Sequence, residues 1–568
     1  MNPKTKLFGI FLICIFLGVT VNAYGADMVV INSADGRDIY SGVVYANTMN
    51  LPYKFLVDSA QKNILISGID KQTHAKILLI ESKNNPYVPG YKKMFEDAGF
   101  NVTEIISDDG LKLNLELARN VSTKKFILID DTYGYNAVSV VPYAKISNSY
   151  VLFANKENID GIYDLFSKVN PENILVYGFA DDEVKKKISG FNHEILDKAD
   201  RFDNNIEIVK RYREINPVRQ VVLSDGTFLE PGMVSGEEPI LFIGADSVPE
   251  QTMEYLAKTN IMAGTLVGNA LTKPARLIRE TLKNEYNKNF SVFVKFGKST
   301  PAVTPGEIQV LDMFYLPSFP LNLAIGDIKY NDATKKLEVT YINNASTVAY
   351  FSPTINVKID NLVVKTFGEP EPVLIKEGEF MGREYDLDLS AYDVRSANIT
   401  ARVSAEYGEG PRSLEKVVEK ESLIAVISKQ DASSVDVTGV VYDPGTQQLV
   451  LNVKNAGEVP VYFKNSVKIK TAEGFKILKK DDVEYLNVNE MIGVIYSGVP
   501  EIDTSEKVGV HIDYGDREEF MKKTLDKEYQ LTVKGEIFPL WVIIIAALLL
   551  LFVLIILFIF RRKRSDEK

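Results

Sequence analysis

Short, largely apolar runs recur through the first half of the chain. KFLV (54–57), YVLFA (150–154) and ILFIG (240–244) form one set, and KILLIES (76–82), NILVYGF (173–179) and AGTLVG (263–268) form the next. Runs this short, without polar alternation, suit strands of a parallel sheet buried on both faces. Helical stretches stand between them, among them GYKKMFEDAGF (90–100), DDEVKKKISGF (181–191) and KPARLIRETLKNEY (273–286). Such alternation predicts parallel sheets flanked by helices. Beyond Pro301, Pro305 and the LPSFP run at 316–320 the period changes to alternating residues with Asn/Gly turns, which predicts β-sandwiches.

The pattern repeats. VVINSADGRDIYSGVVYA (29–46) lies on ILIDDTYGYNAVSVVPYA (127–144) at a lag of 98, with Gly36 on Gly134, Ser41 on Ser139, Tyr45 on Tyr143 and Ala46 on Ala144. VVLSDGTFLEPGMVSG (221–236) is a third copy, about six residues short across its first helix. Later, 328–359 lies on 440–471 at a lag of 112, with Tyr330 on Tyr442, Leu337 on Leu449, Asn343 on Asn455 and Tyr350-Phe351 on Tyr462-Phe463. SAEYGEG (404–410) and HIDYGDR (511–517) close the two copies. Fixed lags of this size mark repeated structural units. The expected order is three α/β repeats at 27–121, 122–217 and 218–297, a linker at 298–321, and sandwiches at 322–425 and 432–534.

The ends suggest a compartment. Lys4 and Lys6 precede the uncharged LFGIFLICIFLGVTV (7–21), and small residues follow, so 1–25 reads as a signal peptide. Cys14, the one cysteine, lies within it, leaving no thiol for a disulfide or a metal. Residues 538–560 run 23 positions without a charge, roughly 35 Å as a helix. Trp541 stands near one end, and Arg561-Arg562-Lys563-Arg564 opens a tail at 561–568. The expectation is one transmembrane helix with that tail in the cytoplasm and the remainder outside. Together these features point to an archaeal surface protein. The net charge of −11 sets nucleic acid aside as a partner. Sequons at Asn101, Asn120, Asn289, Asn344 and Asn398 permit N-glycosylation.

In the second copy, Asp130-Asp131-Thr-Tyr-Gly-Tyr-Asn136-Ala137 leads to Pro142-Tyr-Ala144, and Asp200-Arg201-Phe202 comes near its end. These stretches resemble the cell-wall-binding repeat type 2 family, whose Asp before Ala is Asn136 here. The resemblance covers about 27–297. It implies three copies packed as a pseudo-threefold trimer that holds anionic envelope polymer. VKNAGEVPV (453–461) resembles CARDB and related Ig-like adhesion modules, which implies an extracellular spacer.

Catalytic chemistry finds little support. His74, His193 and His511 are the only histidines, no HExxH or GxSxG occurs, and SDG (224–226) does not continue into a phosphate loop. Neither an enzymatic activity nor a cofactor or metal is expected. The candidate ligand residues are acids following the first strand of each repeat: Asp35 and Asp38, Asp130 and Asp131, and Asp225. Carboxylates beyond the carboxyl ends of parallel strands can hold sugar hydroxyls or a cation, and equally can cap the next helix. The leading expectation is an anchored cell-surface protein whose head binds surface polymer, S-layer or another partner protein, or a copy of itself. A receptor for a small ligand is the alternative, and an envelope hydrolase the third.

Overall fold

The computed structural model describes residues 24–198, 200–267, 271–295, 313–392, 394, 398–534 and 548. The predicted signal peptide at 1–25 lies outside these residues save Tyr24 and Gly25, and the apolar run 538–560 lies outside them save Leu548. Among the described residues no helix is long and apolar enough to cross a membrane.

The first repeat comprises β1 (Met28–Asn32), α1 (Gly36–Thr48), β2 (Tyr53–Phe55), α2 (Lys62–Ser67), β3 (Lys76–Ser82), α3 (Tyr91–Asp97), β4 (Asn101–Ser107) and α4 (Gly110–Ala118). The second comprises β5 (Lys125–Ile129), α5 (Gly134–Ile146), β6 (Tyr150–Phe153), α6 (Ile159–Val169), β7 (Asn173–Tyr177), α7 (Asp182–Ile188), β8 (His193–Leu196) and α8 (Arg201–Ile215). The third comprises β9 (Gln220–Ser224), β10 (Phe228–Leu229), β11 (Ile240–Phe242), α9 (Glu250–Lys258), β12 (Ala263–Val267), α10 (Thr272–Tyr286) and β13 (Ser291–Lys295).

The sheets run β2-β1-β3-β4, β6-β5-β7-β8 and β11-β9-β12-β13, all parallel and in one order. Their central strands are apolar because helices cover both faces; all of β1 is buried. The third copy departs from the plan where it is short. Pro231 and Gly232 stand where the first helix would run, and β10 with a 3₁₀ turn (Met233–Ser235) replaces it.

The repeats share one core. Val43, Tyr45 and Leu117 of the first pack with Phe126 and Val138 of the second, and with Met233 and Phe242 of the third. The first–second and second–third boundaries carry the same buried device. Asn114 on α4 donates from Nδ2 to Val151 O (3.2 Å) and accepts from Phe153 N (3.0 Å), continuing the ladder at the edge of β6. Asn205 on α8 does this for β11, donating to Ile240 O (2.9 Å) and accepting from Phe242 N (2.8 Å). One asparagine side chain thus stands in for a strand's peptide group at each junction.

The β-rich region follows. β14 (Phe314–Tyr315) pairs antiparallel with β10. Then come β15 (Leu323–Asn331), β16 (Lys336–Asn343), β17 (Ala349–Ile359), β18 (Leu362–Gly368), β19 (Val373–Ile375), β20 (Phe380–Asp386), β21 (Ile399–Gly408), β22 (Leu414–Leu423) and β23 (Ala425–Ile427). One sheet runs β20-β16-β15-β23 and the other β18-β17-β21-β22, with β19 also on β17. The second module comprises β24 (Val435–Asp443), β25 (Gln448–Asn455), β26 (Val461–Thr471), β27 (Gly474–Leu486), β28 (Met491–Ser497), β29 (Val508–Gly515), β30 (Lys523–Tyr529) and β31 (Leu531–Val533). Its sheets, β28-β25-β24-β31 and β27-β26-β29-β30, repeat the plan of the first.

The lag of 112 has a physical basis. Leu337 and Leu449 are buried at matching places, and so are Phe351 and Phe463. Asn343 and Asn455, both fully buried, clamp matching turns. Asn343 Nδ2 donates to Thr347 O (2.7 Å), and Asn455 Nδ2 to Val459 O (2.9 Å).

Each sandwich meets the unit before it at a matching turn, the turn after the Tyr-Gly ending of β21 and β29. In the first, Asp246 N and Ser247 N donate to Glu415 O (2.9 and 3.1 Å), and Glu250 N donates to Arg412 O (3.2 Å). Gly244 accepts this approach only as glycine, since a Cβ there would stand 2.5 Å from the backbone of Glu415. In the second, Arg517 pairs with buried Glu338 (2.6 Å) and Lys429 with Asp516 (2.7 Å), while Phe520 fills the space over Gly382.

At the first joint Arg201, 8% exposed, pairs with Glu409 (2.9 Å) and Glu415 (2.5 Å), with Tyr135 and Phe202 rings 4.1 and 4.6 Å from its guanidinium. Two carboxylates against one guanidinium leave a buried negative excess. Burial raises the Glu409 carboxyl above the usual range, with Arg201 opposing and Glu415 adding to the rise. Its folded pKa therefore exceeds its unfolded one. Its contribution to stability is fully present below the unfolded glutamate pKa of about 4.3 and is lost as pH rises through the folded value. Glu409→Gln is expected to be tolerated at neutral pH and to flatten the stability–pH curve above that pKa, as read by thermal unfolding from pH 4 to 8.

Candidate ligand site at the carboxyl ends of the strands

The sequence-predicted acids meet different fates. Asp35 caps α1, accepting from Arg37 N (2.8 Å), and pairs with the Arg37 side chain (2.9 Å). Burial works against its charge, but the hydrogen bonds and charge of Arg37 prevail and hold its pKa below the usual carboxylate range. Asp38 is 2% exposed and accepts from Ser33 Oγ and Ser107 Oγ, both at 2.7 Å, tying the ends of β1 and β4 to α1. Burial raises its pKa, against those two hydrogen bonds. Asp225 accepts from Thr227 N (3.1 Å) and Thr227 Oγ1 (2.8 Å) at the end of β9; burial raises its pKa as well. Asp38 is thus committed to packing, and Asp225 to its own turn.

Asp130 and Asp131 cap no helix. Asp130 accepts from Thr132 N (2.9 Å). Asp131 accepts from Asn155 Nδ2 (2.9 Å) and lies 3.5 Å from Arg37 Nη1, so it joins the second repeat to the first. The cap of α5 comes from far away. At the lag of 98 the place of Asp35 is taken by Tyr133, whose side chain makes no cap bond, and Gly134 N donates instead to Pro317 O (2.9 Å).

That contact belongs to a strap. Residues 313–319, read from sequence as part of a linker, lie across the meeting point of the three repeats. Leu316 N donates to Thr227 O (2.8 Å), and Phe319 N donates to Tyr135 Oη (3.0 Å). The Leu316 side chain fills the space over Gly36 and Gly134, where a Cβ would come within 2.8 and 2.3 Å of it. The two glycines matched by the repeat therefore share one function, which is to admit the strap.

The strap leaves a cavity on each flank. A pocket of about 250 Å³ between the first two repeats is lined by Arg37, Tyr40, Asp131, Phe153 and Leu316. A larger cleft of about 420 Å³ opens over the strand ends of the second repeat. Its lining includes Asp130 after β5, Phe179 after β7, Asp197 and Lys198 after β8, and Tyr133. Phe179 is 62% exposed, and Gly178 beside it has φ +72°, which glycine adopts freely. Asn136 lies against that glycine, which a Cβ would bring within 2.9 Å of Asn136 Oδ1.

No family model matches the chain. No curated protein matches it either. Among solved structures it is similar to Cwp6 from Clostridium difficile, at 17% identity and a TM-score of 0.35, over 49% of this chain and 42% of that one. It is also similar to red sea bream transglutaminase (14% identity, TM-score 0.14, 39% of this chain and 32% of that one). The class 5 fimbriae chaperone CfaA is a third (13% identity, TM-score 0.14, 36% and 98%). The chain thus spans less than half the length of the first two. At these scores all three likenesses are remote.

Arg201, the strap and Phe179 carry no local sequence signal of their roles. His193 Nδ1 bonds Phe191 O (2.9 Å), and His511 Nδ1 bonds Asp526 (2.6 Å), both outside the cleft. Among the described residues no group of three or more His, Cys, Asp or Glu could hold a metal ion. Four sequon asparagines, Asn101, Asn289, Asn344 and Asn398, are exposed; Asn120 is half-buried and donates to Tyr24 Oη (3.0 Å).

Asp131→Asn keeps the shape of the side chain and an oxygen for Asn155. The expected loss is about 0.5–1 kcal/mol in urea denaturation, as for a partly exposed ion pair. A loss several times larger would make Asp131 a structural residue and not a ligand candidate.

Proposed function

We propose that the chain is a membrane-anchored cell-surface protein of a prokaryotic envelope. In this reading the α/β head binds envelope polymer in the cleft of the second repeat, and the two sandwiches form the stalk. The observation that carries it is the exposed Phe179 ring beside Asp130, Asp197 and Lys198. An aromatic face flanked by carboxylates suits a hydroxylated sugar chain, giving an apolar platform and acceptors at its rim. Parallel sheets place ligand sites at these strand ends. The basic-then-apolar residues 1–25 and the uncharged run 538–560 support export and anchoring.

The test uses residues 26–534, because the strap and the Arg201 joint bind the head to the first sandwich. The protein is incubated with native envelopes, stripped of protein or intact, and scored by co-sedimentation. Binding to stripped envelopes, weakened about tenfold by Phe179→Ala, is expected; tenfold corresponds to about 1.4 kcal/mol. Binding only to intact envelopes would move the partner to a surface-layer protein. Binding to neither would sink the polymer reading.

A further inference from the structure

The second sandwich carries a hairpin unlike the rest of the acidic chain. Between Val467 and Lys480, across β26 and β27, stand Lys468, Lys470, Lys476, Lys479 and Lys480 against Glu473 alone. Phe475 and Ile477 on β27 are 69% and 65% exposed. In the register, Lys470 faces Phe475, Lys468 faces Ile477 and Ser466 faces Lys479. Cross-strand partners share a face, so Phe475, Ile477 and three lysines occupy one outer surface, while Val467 and Ile469 point to the core. The Lys468 ammonium stands 4.6 Å from the centre of the Phe475 ring.

This tip lies at the end of the module from which the chain leaves. Lys534 N donates to Tyr442 O (2.8 Å), and Lys534 Nζ pairs with Asp443 (3.0 Å). Asp443 pairs in register with Gln448, and Gln448 with Ser497. The loop after Ser497 carries Asp503 and Glu506, which clasp Lys470 at the tip (3.4 and 2.9 Å). From Lys534 only residues 535–537 intervene before the uncharged run starts at Phe538, a span of at most about 14 Å.

We propose that the hairpin tip docks on the bilayer, with Phe475 and Ile477 at the boundary between headgroups and acyl chains and Lys468 and Lys479 on anionic lipid headgroups. This rests on the reading that 538–560 spans the membrane. Apolar residues within a basic patch bind anionic membranes through buried area and charge together. β27 and β31 stand at edges of the two different sheets, so the exit strand and the hairpin hold the module at two separate points. The matching hairpin of the first sandwich, β17 with β18, also exposes apolar residues, Leu362 at 73% among them. It carries Asp360 and Asn361 at its tip, and a second sandwich follows it in the chain. It serves as the control.

The test uses the full chain in phosphatidylglycerol–phosphatidylcholine vesicles holding lipid spin-labelled near the headgroup. In a Trp541→Phe background, Phe475→Trp supplies one indole at the tip and Leu362→Trp one at the control hairpin. At least threefold stronger quenching at 475 than at 362 is expected, with Lys468→Glu/Lys479→Glu, both on the outer face, lowering it. Equal quenching at the two positions would overturn the proposal. The native Trp541 of the unaltered chain reports separately on the span. If it is quenched while position 475 is not, docking alone fails; if it is unquenched and the protein does not float with the vesicles, the span reading fails and docking with it.

Discussion

Arg201→Leu is expected to cost about 3–5 kcal/mol at neutral pH, the range for removing one partner of a buried ion pair. The substitution strands Glu409 and Glu415 together, 15% and 5% exposed, and removes the cation stacked on Tyr135. The Glu409 carboxyl, which burial already raises, would lose the charge that opposes the rise and bind a proton more readily still in the folded state. The deficit should therefore be smallest near pH 4.5 and widen toward pH 7, as read by urea denaturation at each pH. A triple variant with leucine at 201, 409 and 415 should recover most of the loss, because no charge is left buried. A deficit independent of pH would show that packing, not the ion triad, holds the joint.

Asn205→Ala has the second largest expected effect. Its side chain donates to Ile240 O and to Ser139 Oγ (2.7 Å) and accepts from Phe242 N, all buried. Each partner left unsatisfied costs about 1–3 kcal/mol, so a total of about 3–5 kcal/mol is expected. Asn114→Ala opens the other junction and should cost about as much. The two sites lie on different repeats with no partner in common, so their losses should add, and the double variant should be unfolded at 25 °C by circular dichroism. A loss below 1 kcal/mol for either single variant would mean that water replaces the side chain and that the junction is held by apolar packing alone.

Much of the fold was legible because it is written twice or three times. Buried strands show as apolar runs, Ile77–Ile80 within Lys76–Ser82 and Ile174–Tyr177 within Asn173–Tyr177, and the match of Asn343 with Asn455 marks two turns held alike. The missing helix of the third repeat was foreshadowed by a shortfall of six residues, though not by what replaces it. The hidden features are those whose partners lie far along the chain. Arg201 meets Glu409 208 residues away, and Gly134 is capped by Pro317. No period or propensity encodes such a meeting. The strand-end acids divided for the same reason. A cap such as Asp35 is a local event, while the burial of Asp38 between Ser33 and Ser107 depends on a strand 69 residues later.

The order of strands in the sandwiches has a mechanical consequence. β15 pairs parallel with β23, and β24 with β31, so in each module the entering and leaving strands run side by side in one direction. A protein held at its carboxyl end and pulled by whatever its head grips is loaded along its length. Tension enters at the start of β24 and leaves at the end of β31, so it slides the two strands past each other. Their hydrogen bonds then resist together, where a hairpin pulled apart from its open end would yield one bond at a time. If the sandwiches are the stalk proposed above, it is threaded to bear traction in shear, and the same threading recurs in both modules.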